Sequence, residues 1–268
     1  VTTAARAMHR AAATSQPLPE VGALKPLYGA GFRPRSGQVL MVAGQPGSLK
    51  SMFAQWYMDE MAIPALYFCA DSDPSTAVTR LIAKRTGIEV EQVELGLEYS
   101  SGEEYLRALE GTQIHFCFDS APTLGDVADE IAAYVEVWDR FPRLIVVDNL
   151  VNVESEMGED FSGMRLIGRE LHRLSRETGA AVLILHHMRE VGDPRFPQPR
   201  SELQGKIAQL PERILSIAFD SEEGCLKLAV VKNRGGKADP TGKMFYRLKA
   251  DPERATFSPW TGISRGGM

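Results

Sequence analysis

Short apolar runs of strand length alternate along this chain with longer segments whose apolar residues recur every three or four positions. The first run, Val39-Leu40-Met41-Val42-Ala43, predicts a strand over 38–43. A helix over 50–62, a strand over 65–70 and a helix over 75–86 closed by Gly87 follow from the same spacing. Strand and helix alternating in this way predict an α/β domain built on a parallel sheet flanked by helices. In a second unit, Ser101-Gly102-Glu103-Glu104 reads as a capping box opening a short helix, with a strand over 113–118 and a helix over 124–138 behind it. The run 143–148 predicts a buried strand ending in the carboxylate of Asp148, and a helix over 161–178 leads into a strand over 180–185. The remainder changes character. Strands near 213–219, 225–232 and 244–249, joined by turns such as Ser221-Glu222-Glu223-Gly224, predict an antiparallel extension of the sheet. No internal repeat is visible.

These elements place one domain over 25–260, after an arm and linker (1–24) and before a polar tail (261–268). The arm is Ala-rich with Arg6 and Arg10 and has the composition of a short helix, which Ser15-Gln16-Pro17-Leu18-Pro19 breaks. At 268 residues and 44% hydrophobic, the chain can bury one large α/β core. A net charge of -5 argues against a surface basic all over, so contact with nucleic acid has to come from a local patch or a ring pore. Cys69, Cys117 and Cys225 lie far apart and suggest buried thiols, with no disulfide or zinc framework. The longest apolar run, 180–185, is too short for a bilayer, and no signal-peptide core is visible. A cytoplasmic protein without a membrane partner is expected.

The segment Gly44-Gln45-Pro46-Gly47-Ser48-Leu49-Lys50-Ser51 leaves the first strand and enters the first helix of the domain, the context of a phosphate-binding loop. Small residues let backbone N–H groups curl around phosphate oxygens, Lys50 can reach the outer phosphates, and the Ser51 hydroxyl can ligate Mg2+. ATP with Mg2+ is the expected ligand. Leu49 stands where the pattern G-x-x-x-x-G-K-[ST] asks for Gly; with the chain already entering a helix there, a Cβ is expected to be tolerated. Asp148, presented at the C-terminal edge of the sheet, is the second half of such a site and would hold Mg2+ through water.

Further blocks carry a family resemblance. Tyr67-Phe68-Cys69-Ala70-Asp71-Ser72-Asp73-Pro74, followed by a helix bearing Arg80, resembles the RecA-like ATPase core of DnaB-type replicative helicases. So do Phe118-Asp119-Ser120-Ala121-Pro122-Thr123-Leu124, Leu183-Ile184-Leu185-His186-His187-Met188-Arg189 and Val230-Val231-Lys232-Asn233-Arg234-Gly235-Gly236. The resemblance spans about 25–258 and implies a core-only relative, without that family's separate N-terminal domain. It implies Asp71 as the group that orients the attacking water, where the family usually has Glu; Asp is one methylene shorter, so Asp73 could help or hydrolysis be slow. Arg80 joins the nucleotide-binding set. His187 falls at the γ-phosphate sensor, where the family often has Gln, while His186 faces the other way on a regular strand and is structural. Lys232 and Arg234, two apart and so on one face, correspond to basic fingers that reach a neighbouring subunit's nucleotide.

Segment 189–205 takes the place of a DNA-binding loop, with Arg189, Arg195, Arg200 and, beyond it, Lys206 as candidate phosphate contacts. The competing loop 154–160 is acidic and would repel DNA. The combined expectation is a DnaB-like NTPase that assembles into a ring, expected to be a hexamer, and couples ATP hydrolysis to movement on single-stranded DNA. Three rivals remain at this stage. One is a recombinase-like filament ATPase. Another is a metal-dependent nuclease acting on structured DNA through Asp71, Asp73 and Asp148. The last is an ATP-binding assembly or loader protein with weak turnover.

Overall fold

Fully buried runs rich in β-branched and aromatic residues form the centre of the computed structural model, which describes residues 15–99, 102–154 and 161–261. Its strands are β1 (Val39–Gly44), β2 (Ala65–Cys69), β3 (Ile114–Cys117), β4 (Leu144–Asp148), β5 (Ala181–His187), β6 (Arg213–Asp220), β7 (Cys225–Asn233), β8 (Tyr246–Asp251) and β9 (Thr256–Pro259). They make one sheet in the order β3-β2-β4-β5-β1-β6-β7-β8-β9. The β3-to-β6 part is parallel, and β7, β8 and β9 add on antiparallel. Every residue of β1, β2 and β4 is buried, as expected of parallel strands covered on both faces.

The helices are α1 (Lys25–Gly29), α2 (Lys50–Met61), α3 (Pro74–Thr86), α4 (Val90–Tyr99), α5 (Glu103–Leu109), α6 (Leu124–Trp138) and α7 (Phe161–Thr178). On one face of the sheet, Leu40 and Val42 pack with Phe53, Trp56 and Tyr57 of α2. On the other, Val39 and Met41 pack with Val127 and Ile131 of α6 and Ile167 and Leu171 of α7. Phe257 of β9 sits edge-on to Phe53 and Trp56, so the last strand anchors the helix that follows the phosphate loop.

Several expectations need correction. No side-chain cap opens α5; its N-cap is Gly102 in the left-handed region. Ser101, the expected cap, lies outside the described residues. The reciprocal box is at α6, where Thr123 Oγ1 accepts the Asp126 N–H at 3.1 Å and Asp126 accepts the Thr123 N–H at 2.8 Å. β6 does not begin an antiparallel extension: the long connection from β5 lets it cross over and lie parallel to β1. α4 and β9 are additional. The segment read as linker also joins the core, since Leu18 and Val21 are buried and Leu18 N–H donates to Pro34 O. The arm over 1–14, the acidic loop over 155–160 and most of the tail (262–268) lie outside the described residues. Among the described residues no helix is long and apolar enough to cross a membrane.

Candidate nucleotide site

β1 delivers Gly44 to the C-terminal edge of the sheet, where a Cβ would collide with the Ser48 side chain and the Ile217 carbonyl. Close approach therefore restricts this position to glycine. Gly47 turns the loop at φ 77°. Leu49 is not yet helical: it is the N-cap of α2, with φ 62° and ψ 28°. That corrects the expectation that a side chain is tolerated because the helix has begun. A left-handed Leu costs about 1–2 kcal/mol, offset in part by packing of its half-buried side chain against the core beside α2.

Lys50 begins α2, whose positive end faces the loop. Its Nζ donates to the carbonyls of Gly44 and Gln45, both at 3.2 Å. Burial lowers its pKa, against the pull of Asp148 and Asp71. Gln45 fastens the loop to the segment after β5 by donating to Arg189 O at 3.2 Å and Val191 O at 2.8 Å.

Asp148, 1% exposed, closes the site from β4. Burial pushes its pKa up, while hydrogen bonds from Tyr67 and Ser51 oppose the rise; Tyr67 donates at 2.6 Å. Asp71, just past β2, accepts from Asn149 Nδ2 at 3.3 Å and from Asn152 Nδ2 at 3.1 Å. The same Asn149 amide lies 2.5 Å from His187 Nε2. An amide N–H against that nitrogen calls for a neutral imidazole with its proton on Nδ1, in keeping with a pKa lowered first by burial and then by Lys50. Asp71, Asn149 and His187 are thus linked through one carboxamide. His186 turns away; its Nε2 meets Gln204 O at 3.1 Å, and burial lowers its pKa to about 4.

Sequence reasoning overlooked Asn149 and Asn152. The available signal was their place directly after the strand-end Asp148, since both amides are brought round by the turn that follows β4.

Other candidates fall outside this cluster. Asp73 is the N-cap of α3, accepting the N–H and hydroxyl of Thr76 at 3.0 and 2.6 Å. The three-acid arrangement needed by the nuclease rival is therefore not assembled, and no cluster of three metal-ligating side chains occurs among the described residues. Arg80 is half-buried on α3 and makes none of the site's hydrogen bonds described above. Arg189 pairs with Glu202 at 3.5 Å. Arg195 is held by Asp193 at 2.9 Å and Glu222 at 2.7 Å. Arg200 lies in a cavity with Lys232, and Lys206 ends the turn Gln204–Lys206.

Lys232 and Arg234 share a face as expected, both donating to Gln209 O at 3.0 and 2.8 Å. Register places them away from the phosphate loop. Lys232 pairs with Ile214 and Asn233 with Arg213, and these partners pair with Met41 and Leu40 near the start of β1. Gly44 is three residues beyond Met41, about 10 Å along the strand.

Residues 9–193, most of the chain, match the family model of the AAA domain. The chain belongs to the AAA domain family. This AAA domain is 36% identical over 241 residues to the Gene 65 protein of Mycobacterium phage L5, an alignment covering 87% of this chain and 89% of that protein. It is 36% identical over 219 residues to the Gene 65 protein of Mycobacterium phage D29, covering 79% and 94%. Among solved structures it resembles an isolated ATPase domain, with a TM-score of 0.78 at 13% identity over 96% of both chains. A DnaB-like replicative helicase, solved in a study of its interactions with primase, gives a TM-score of 0.75 at 14% identity, over 96% of this chain and 66% of that one. The AAA domain thus has the RecA-like P-loop ATPase fold of the DnaB core.

Proposed function

We propose that this AAA domain hydrolyses ATP in a ring of identical subunits, expected to be a hexamer, and couples hydrolysis to binding of or movement along single-stranded DNA. The supporting observation is the separation of Lys232 and Arg234 from the phosphate loop of their own chain. Cations that far from their own nucleotide suit the nucleotide of an adjacent subunit, and trans cations of this kind contribute about 10³-fold or more to turnover.

Within one subunit, backbone N–H groups over 45–51 and Lys50 hold the phosphates. The donor set fits Mg2+, since Ser51 and Asp148 supply hard oxygen ligands, Asp148 through water. Mg2+, when bound, neutralises charge developing on the phosphate oxygens. Asp71 orients the attacking water. Its two carboxamide partners, Asn149 and Asn152, hold it in place. His187 reads the outer phosphate, and Gln45 carries a change at the loop to segment 189–206, where Arg189 and Lys206 would meet a nucleic-acid backbone.

Phosphate release is the test, for the wild type and Lys50→Ala, with and without single-stranded DNA. Activity per subunit should rise with protein concentration and with DNA, and Lys50→Ala should abolish it. Release that is independent of concentration and DNA would contradict both the ring and the coupling.

A further inference from the structure

Helix α7 buries Ile167 and Leu171 against the sheet and turns Arg165, Arg169, Arg173 and Arg176 to solvent. Steps of four, four and three residues keep these guanidinium groups on one face, along about 16 Å of helix. Arg173 is held by Glu170 at 2.8 Å and Glu177 at 2.7 Å. Among the described residues, Arg165, Arg169 and Arg176 have no ion pair. The C-terminal part of the stripe borders a cavity of about 540 Å3 shared with Gln209, Leu210 and Arg234. Glu177 is the one carboxylate among the lining residues, and Arg173 already neutralises it.

This is concentrated positive charge on a chain of net charge -5, and helix electrostatics do not account for it. Arg176, in the last turn, offsets the negative end of α7. Arg169 lies mid-helix and Arg165 nearer the positive end, where the dipole gives a cation no advantage. The loop over 189–206 differs, since ion pairs already occupy Arg189 and Arg195, two of its four candidate cations. Guanidinium forks set along a line suit a run of phosphates, each taken two oxygens at a time. No aromatic side chain lines the cavity, so bases find no stacking platform there and contact falls to the backbone.

We propose that this face of α7 is a track for the sugar–phosphate backbone of single-stranded DNA, with Arg165, Arg169 and Arg176 as its phosphate contacts. The inference rests on the nucleic-acid part of the proposed function and adds a helix surface to the loop over 189–206.

The test follows binding of a fluorescent oligothymidylate to the full chain across a salt series, with folding and assembly of each variant checked by unfolding midpoint and sedimentation. Arg165→Gln/Arg169→Gln/Arg176→Gln should weaken binding about tenfold or more at fixed salt. It should also flatten the slope of log affinity against log salt by about 2, the change expected for three phosphate contacts on a single strand. The corresponding triple lysine variant should keep the slope. Lys25→Gln/Arg107→Gln/Lys249→Gln, which removes the same charge from exposed positions off α7, should leave the slope unchanged. An unchanged slope in the α7 variant, or an equal loss in the variant off α7, would overturn the track while leaving the proposed function standing on the loop. Loss of assembly in the α7 variant without DNA would overturn it in favour of a contact between copies of the chain. Wild-type protein that binds no oligothymidylate at any salt would remove the nucleic-acid reading beneath it.

Discussion

Asn149 is buried and spans two groups of opposite expected roles, the water-orienting Asp71 and the phosphate-sensing His187. Truncating it frees both side chains while leaving the phosphate loop untouched. Asn149→Ala should lower kcat about tenfold, within the order of the effect of misplacing a catalytic group, with little change in nucleotide Kd. A parallel loss of affinity in a titration with labelled nucleotide would contradict the positioning role. Asp148, Asp71 and His187 were legible because strand ends announce themselves: an apolar run stops and a polar side chain follows at the edge where a parallel sheet binds ligands. Asn149 and Asn152 were not, because their contacts depend on how the next turn folds back over Asp71. The left-handed Leu49 was hidden for a similar reason: sequence gives the missing glycine but not the φ that makes it matter.

Among elements, the β6–β7 hairpin is fixed by a buried ion pair. Lys227 Nζ donates to Asp220 at 2.7 Å, with the two side chains 1% and 5% exposed, and sits 4.1 Å from the centre of the Phe196 ring. Burial by itself raises the Asp220 pKa, but Lys227 and the N–H groups of Glu222 and Glu223 outweigh it and hold the carboxyl below its usual range. The contribution of this pair is therefore present above pH ~3.9 and is lost as pH falls through the lower folded pKa. Lys227→Ala strands a buried carboxylate and should cost roughly 3 kcal/mol, read from urea unfolding. Adding Asp220→Leu should recover much of it, and an undiminished loss in the double variant would contradict the pairing account. The parallel character of the sheet and most element bounds were readable from runs and periodicity; the strand order was not. The parallel placement of β6 was not, since hairpin-like turns describe how β6, β7 and β8 join each other and say nothing of β6 beside β1.

For the whole molecule, one sheet separates two sets of charges. Lys50 and Asp148 serve one edge, while Lys232 and Arg234 lie back along the strands toward the other. In the assembly proposed above, such an arrangement completes a site between subunits in head-to-tail contact, which closes into a ring or runs on as a filament. The most direct measurement mixes two inactive proteins, Lys50→Ala and Arg234→Ala, in equal amounts and follows phosphate release. If each nucleotide is finished in trans, some interfaces in the mixture pair an intact phosphate loop with an intact cation pair, and activity should rise well above that of either protein alone. Activity no greater than the average of the two would contradict the account.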